Sequence, residues 1–262
     1  MRLEWNAIGT RFYEAGVDRG VLYVEGKPGV VWTGLTSVDE NPSGGEAKAY
    51  YLDGVKYLNV STAEEFGATL SAFTYPDEFA ECDGTARVRP GFMVTQQRRK
   101  PFGLAYRTKI GNDLDGVDHA YKIHIIYNAL AAPTQRANAS FSEGIEPSDF
   151  SWSITTRPIA VAGYHRTAHI VIDSRDVHPV RMKIVEDILY GDDANNPRTP
   201  TFAELVEIFD TPVALEVLDL GDGIYRLTGT DDYLVNTGPT TAIVMGPDVV
   251  PSGEHTYTIS SP

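Results

Sequence analysis

The chain has almost no cysteine. Cys82 is the only one in 262 residues, so no internal disulfide and no cysteine-based metal framework can form, and the side chain reads as an ordinary small apolar one. Long apolar runs are also missing. None approaches the roughly 20 residues that a bilayer-spanning helix needs. The opening "MRLEWNAIGTRFYEAG" lacks the apolar core of a signal peptide, so a reducing cytosol is the expected setting. Positive charge is scarce: 22 Lys and Arg against 36 Asp and Glu leave a net charge of −14. That balance excludes a dedicated nucleic-acid binder, whose affinity comes mainly from Lys and Arg on phosphates. The sequence holds no G-x-S-x-G, H-E-x-x-H or C-x-x-C, the patterns of common nucleophilic, metal and redox sites. "ENPSGGE" (40–46) offers a glycine pair without the strand and helix that frame a phosphate loop. No catalytic residue, cofactor site or metal site is nominated.

What is present is punctuation. Twenty-four glycines and 16 prolines separate short segments rich in β-branched and aromatic residues, the pattern of a mainly-β protein. "EAKAYYLDGVKYLNV" (46–60) reads as a hairpin turning at Asp53-Gly54. "EEFGATLSAFTY" (64–75) alternates, with Phe66, Ala68, Leu70 and Ala72 on one side. In "FGLAYRTKI" and "HAYKIHIIYNAL", one face carries Phe102, Leu104, Tyr106, Tyr121, Ile123, Ile125 and Tyr127. The opposite face carries Arg107, Lys109, Lys122 and His124. Two helices are expected. One covers 179–191 and stops at Gly191; the other covers 201–209, with Thr201 and Glu204 in capping-box register. Residues 213–262 read as β again and are expected to be integral to one domain spanning 1–262.

Two stretches invite a metal reading. "NDLDGVD" (112–118) begins like a calcium loop, but counting from Asp113 places Val117 fifth, Asp118 sixth and His124 twelfth. A calcium loop needs an acid, a glycine and a glutamate there, so a turn between strands is the better reading. His165, His169 and Asp173 recur every fourth residue. On a strand that puts ~13 Å between neighbours, too far for one ion.

The segments "FGLAYRTKIGNDLDGVDHAYKIHIIYNALAAP" (102–133), "LSAFTYPDEFAECDG" (70–84) and "FSWSITTRPIAVAGYHRTAHIVIDS" (150–174) with "VEDILYG" (185–191) resemble, in collinear order, the major tail (tail tube) proteins of long-tailed bacteriophages, notably those of actinobacterial hosts. The resemblance implies a β-sandwich subunit with a flanking helix. Subunits form hexameric rings whose inner sheets join into one continuous barrel, and the rings stack into the tube through which the genome leaves. It implies a non-enzymatic virion protein whose partners are its own copies, a tape measure protein and tail terminator or tip proteins. Viral DNA passes the lumen without specific binding. Alternatives are another virion β protein, such as a tail terminator or capsid decoration protein, or a carbohydrate-binding β module.

Three contact expectations follow. The loop 38–47, with Pro42, Gly44 and Gly45, is assigned the ring-bridging role that the resemblance implies. The loop 76–101 carries Arg98, Arg99 and Lys100 and is expected to meet acids of a neighbouring subunit. The basic face with Arg107 and Lys122 needs neutralising acids, because like charges across a strand pair repel. Glu64, Glu65 and Glu46 are the candidates.

Overall fold

The computed structural model describes residue 5, residues 7–136 and 149–210, and the strands at 217–219, 224–227, 233–238 and 241–245. The chain divides into two compact units, Met1–Val177 with Val185–Phe202, and His178–Ile184 with Ala203–Pro262.

In chain order, β1 (Tyr13–Val24), β2 (Val30–Val31) and β3 (Leu35–Glu40) come first. Next are β4 (Ser43–Gly44), β5 (Ala47–Leu52), β6 (Val55–Ser61), β7 (Glu64–Glu65) and β8 (Gly67–Ala72). A 3₁₀ turn (Asp77–Glu81) and the pair β9 (Ala86–Arg89) and β10 (Phe92–Val94) lead to β11 (Phe102–Asn112) and β12 (Gly116–Ala131). Then come β13 (Phe150–Thr156), β14 (His169–Asp173), α1 (Pro179–Tyr190) and α2 (Phe202–Asp210). The last four strands are β15 (Val217–Asp219), β16 (Ile224–Leu227), β17 (Tyr233–Gly238) and β18 (Thr241–Met245). Strand outweighs helix, and the two helices fall where their spacing placed them, so the mainly-β expectation holds.

The first unit is built on one antiparallel sheet in the order β2-β1-β11-β12-β13-β8-β3, with β14 also paired to β12. Two bulges bend it. Arg19 (φ 49°) sits in the register shift of β1 against β11. Asn128 (φ 50°) sits where β12 leaves β14, paired through residue 126, and takes up β13 from residue 129. Asparagine tolerates this left-handed backbone better than most residues. The bent sheet wraps one cluster that includes Leu22, Leu70, Phe79, Leu104, Ile126 and Trp152, all fully buried. The ladder ends at β2 and β3, so the single chain is an open sheet rather than a closed barrel.

Both faces of the sheet are covered, and this corrects the face assignment made from the sequence. Tyr106 lies opposite His124, and Arg107 lies opposite Ile123. Phe102, Leu104 and Tyr106 therefore point with Ile126 into the wrapped cluster, whereas Ile123 and Ile125 are fully buried on the other face. On that other face Tyr23 donates to Leu189 O at 2.7 Å and Tyr127 to Pro200 O at 2.9 Å. Alternation along each strand was read correctly. Matching the two strands needs a register, which alternation does not contain.

The expected loop at 76–101 is structured. Phe79 and Cys82 belong to the cluster, and burial pushes the Cys82 thiol up to about 12. The strands described after residue 213 pair only with one another, in the order β15-β16-β17-β18. The eight-stranded sheet is not extended by them. The rest of 211–262 lies outside the described residues.

Candidate assembly surface

Between β3 and β8 the chain leaves the sheet and returns as a long hairpin. Its base is sealed where Asn41 N donates to Gly67 O at 2.7 Å and Asn41 Nδ2 to Thr69 Oγ1 at 3.1 Å. The neck is the short pair β4–β7, with Ser43 opposite Glu65 and Gly44 opposite Glu64. The blade is β5–β6, running from Ala47 opposite Ser61 to Leu52 opposite Val55. It closes at Asp53 (φ 49°) and Gly54 (φ 76°). Two consecutive positive φ values define the type I′ turn that Asp-Gly favours.

The glycines of the 38–47 segment act in the neck, not as flexible points in a loop. Gly44 (φ 80°) and Gly45 (φ 74°) bend the chain between neck and blade. A Cβ on Gly44 would come within 2.6 Å of Ala63 O, so no larger residue fits without moving backbone. Pro42 precedes β4, and Glu64 and Glu65 are exposed neck residues. The structure pairs none of them with Arg107, Lys109 or Lys122, whose partners are Asp18, Asp118 and Glu14.

The blade is apolar and exposed. Tyr51, Val55 and Tyr57 are 67–69% exposed, and Tyr50, Leu52, Leu58 and Val60 are exposed as well. Every residue of β6 is exposed. A two-stranded ribbon with both faces in water buries too little to hold itself together. Seven large apolar side chains on one projection also form a patch of the kind that marks a contact surface.

The basic residues expected to reach across a subunit boundary are mostly engaged within the chain. Arg99 Nη1 lies 3.2 Å from Asp83 Oδ1 and donates to Ala131 O at 3.2 Å. The same carboxylate accepts from Trp152 Nε1 at 3.2 Å and from Arg136. Lys100 and Lys27 both pair with Glu81, at 2.5 and 2.8 Å, and these bonds hold the Glu81 carboxyl below the usual range. Arg98 is exposed and forms no ion pair among the described residues. Arg99→Ala should thus lower unfolding free energy by about 1–3 kcal/mol, because it strips a partner from a nearly buried carboxylate. Arg98→Ser should change it by less than about 0.5 kcal/mol. Urea titration of the two variants checks this; equal effects would contradict it.

The basic residues expected on one face fall on two, since Arg107 lies opposite Ile123 whereas Lys122 lies opposite Thr108, and each is neutralised by an acid that the sequence did not single out. Arg107 makes a two-pronged contact with Asp18, at 2.7 and 2.6 Å, and its guanidinium lies 4.7 Å from the centre of the Tyr121 ring. Lys109 pairs with Asp118 at 2.8 Å, and Lys122 with Glu14. Glu46, Glu64 and Glu65 play no part in these pairs. The hydrogen bond from Arg107 holds the Asp18 carboxyl below its ordinary value of 3.8. A lowered carboxyl stabilises the fold fully above the unfolded value and loses that contribution as pH falls through the folded one. Asp18→Asn should therefore lower stability at pH 7 and flatten the loss over the acid range below the ordinary carboxyl value of 3.8. Urea midpoints measured across that range check it, and an unchanged slope would contradict it.

The stretch at 110–130 is a hairpin whose turn, 113–115, caps β11 and β12. Asn112 Oδ1 accepts from Leu114 N at 3.0 Å, Asp113 Oδ1 from Gly9 N at 3.0 Å, and Asp115 Oδ2 lies 2.7 Å from His119 Nδ1. Asn112 serves the turn itself, as an Asx turn requires, and Asp113 ties it to Gly9.

No family model and no curated protein matches this chain. Among solved structures, the tube-terminating cap of the anti-feeding prophage matches at 11% identity and a TM-score of 0.33, over 66% of this chain and 95% of that one. A chain of the anti-feeding prophage baseplate matches at 10% and 0.33, over 65% and 97%. One from the sheath-tube complex of an extracellular contractile injection system, PVC, in its extended state matches at 13% and 0.30, over 64% and 93%. TM-scores in this range define neither a common fold nor a common function. No helix among the described residues is long and apolar enough to cross a membrane.

Proposed function

We propose that this chain is a structural, non-enzymatic protein of a phage tail that polymerises with copies of itself, as hexameric rings stacked into a tail tube. The observation that carries the reading is the apolar hairpin arm of residues 41–67, whose large apolar side chains are exposed among the described residues. A second copy is the occupant that the resemblance to tail tube proteins favours. An assembly of identical subunits covers every arm by the same contact, and a head-to-tail contact repeats without limit. Among the described residues the sheet ends at β2 and β3 are unpaired edges that ring closure would remove. An acidic chain suits a conduit that DNA crosses without sticking. In this reading a tape measure protein, tail terminator and tip proteins are the further partners.

Sedimentation velocity over a hundredfold concentration range tests the proposal. Growth from monomer to species of six or more chains supports it. A monomer at every concentration overturns it. Growth that stops at a single ring favours the tail terminator reading over the tube.

A further inference from the structure

Three donor atoms converge at the root of the arm. His124 Nδ1 lies 3.1 Å from His169 Nε2, His124 Nδ1 lies 3.6 Å from Glu40 Oε1, and His169 Nε2 lies 3.8 Å from the same oxygen. They come from three strands. Glu40 ends β3, His124 lies in β12, and His169 opens β14. β12 and β14 put the two imidazoles on one face, since Ile126 pairs with His169 and His124 with Val171. β3 is not paired with either strand.

We infer that Glu40, His124 and His169 form a binding site for a divalent zinc-like cation. Zinc bonds of about 2.0–2.2 Å to nitrogen and oxygen place tetrahedral donors about 3.3–3.5 Å apart, and the three observed separations bracket that spacing. Two imidazoles and one carboxylate suit zinc rather than calcium or magnesium, which take oxygen donors. The remaining coordination position is open to water from the solvent side, where Glu40 is exposed. Beside it a cleft lined by residues including Phe66, Tyr164 and His165 provides an approach.

The surrounding groups hold the ligands in place. Thr108 Oγ1 lies 3.0 Å from His124 Nε2, so with Nδ1 on the ion the other ring nitrogen donates to the threonine. That outer bond fixes the tautomer and the ring plane. Tyr106 stacks on His124 with ring centroids 4.6 Å apart and donates to Glu40 Oε1 at 3.1 Å. Phe66, the residue by which the arm rejoins the sheet, packs on His169 at 4.5 Å between centroids. Burial, with His169 beside it, pushes the His124 imidazole down to about 4, and burial lowers His169 too. Neither ring needs to shed a proton near neutrality to accept a metal.

A bound ion would join β3 to β12 and β14 at the point where the arm departs, and would fix the arm's direction. That consequence, unlike the binding itself, rests on the arm being an assembly contact.

The test uses the full chain, stripped with chelator and exchanged into chelator-free buffer, then titrated with Zn(II) against a chromophoric competitor. One zinc per chain is expected, with a rise in thermal midpoint. Cobalt(II) should give the intense visible bands of a tetrahedral site. Glu40→Gln, at an exposed position, and His169→Gln should each weaken binding at least tenfold while leaving the far-ultraviolet dichroism of the metal-free protein unchanged. Thr108→Val acts through His124 and should weaken it about 10–100-fold. Wild-type protein that binds no more zinc than the Glu40→Gln/His169→Gln double variant overturns the inference, as does binding that none of these variants weakens. Assembly by sedimentation with and without zinc is read separately, so loss of the site and failure to assemble are distinct results.

Discussion

Trp152→Ala should lower the unfolding free energy by about 3–5 kcal/mol, the range for removing a large aromatic side chain from a packed core. Trp152 is the hub of the wrapped cluster. Phe79, Tyr75, Trp32 and Phe150 surround its ring with centroids 5.0, 5.4, 5.9 and 5.9 Å away. The arrangement draws on β2–β3, the 3₁₀ turn and β13, elements far apart in sequence. The indole also donates to Asp83, the carboxylate that ties Arg99 and Arg136 to the same corner. Alanine leaves a cavity and takes one donor from a nearly buried acid at once. Native domains are stable by about 5–15 kcal/mol, so the variant loses a large share of its margin. Urea unfolding followed by near-ultraviolet dichroism measures it. A loss below about 1 kcal/mol would contradict the placement of the core.

The second large effect falls on assembly rather than folding. Replacing Tyr51, Leu52, Val55 and Tyr57 together with Ser should abolish self-association while shifting subunit stability little. All four are exposed, at 58–69%, and exposed substitutions usually change stability by less than about 0.5 kcal/mol each. A buried contact behaves otherwise, because a few large apolar side chains carry most of its energy. The control is Gly44→Ala in the neck. The Cβ it adds would collide with Ala63 O, so it should reduce assembly by misdirecting an intact blade. A quadruple variant that assembles like wild type would remove the arm from the account.

How much of this could be read in the sequence depended on how local each feature is. Asp53-Gly54 announced its hairpin because two left-handed residues in a row are a local requirement. Gly191 marked the end of α1 for the same reason: it follows the last helical residue with φ 83°. The alternation of Ala68, Leu70 and Ala72 survived intact, since β8 has one buried face. The pairing of β11 with β12 was foreseen but its register was not. A sheet covered on both faces turns residues 123–127 into a continuous buried run, and such a run carries no face information. The bulge at Asn128 shifts the register further. The acids that meet Arg107 and Lys122 also escaped. Asp18 and Glu14 are brought in by β1 from about ninety or more residues away, and no spacing rule spans that distance. The triad of Glu40, His124 and His169 escaped for the same reason. Chain spacing sets His169 beside His165 and Asp173, of which only Asp173 shares its strand. The groups that face it come from two other strands, and only the curl of the sheet collects them.

Whether copies of this chain build a tube is tested most directly by electron microscopy of the purified protein. Negatively stained samples at high protein concentration should show six-fold rings, and stacks of rings forming hollow tubes, with both lost in the Tyr51, Leu52, Val55 and Tyr57 quadruple variant. Uniform single particles of monomer size, unchanged by that variant, would contradict the tail tube proposal.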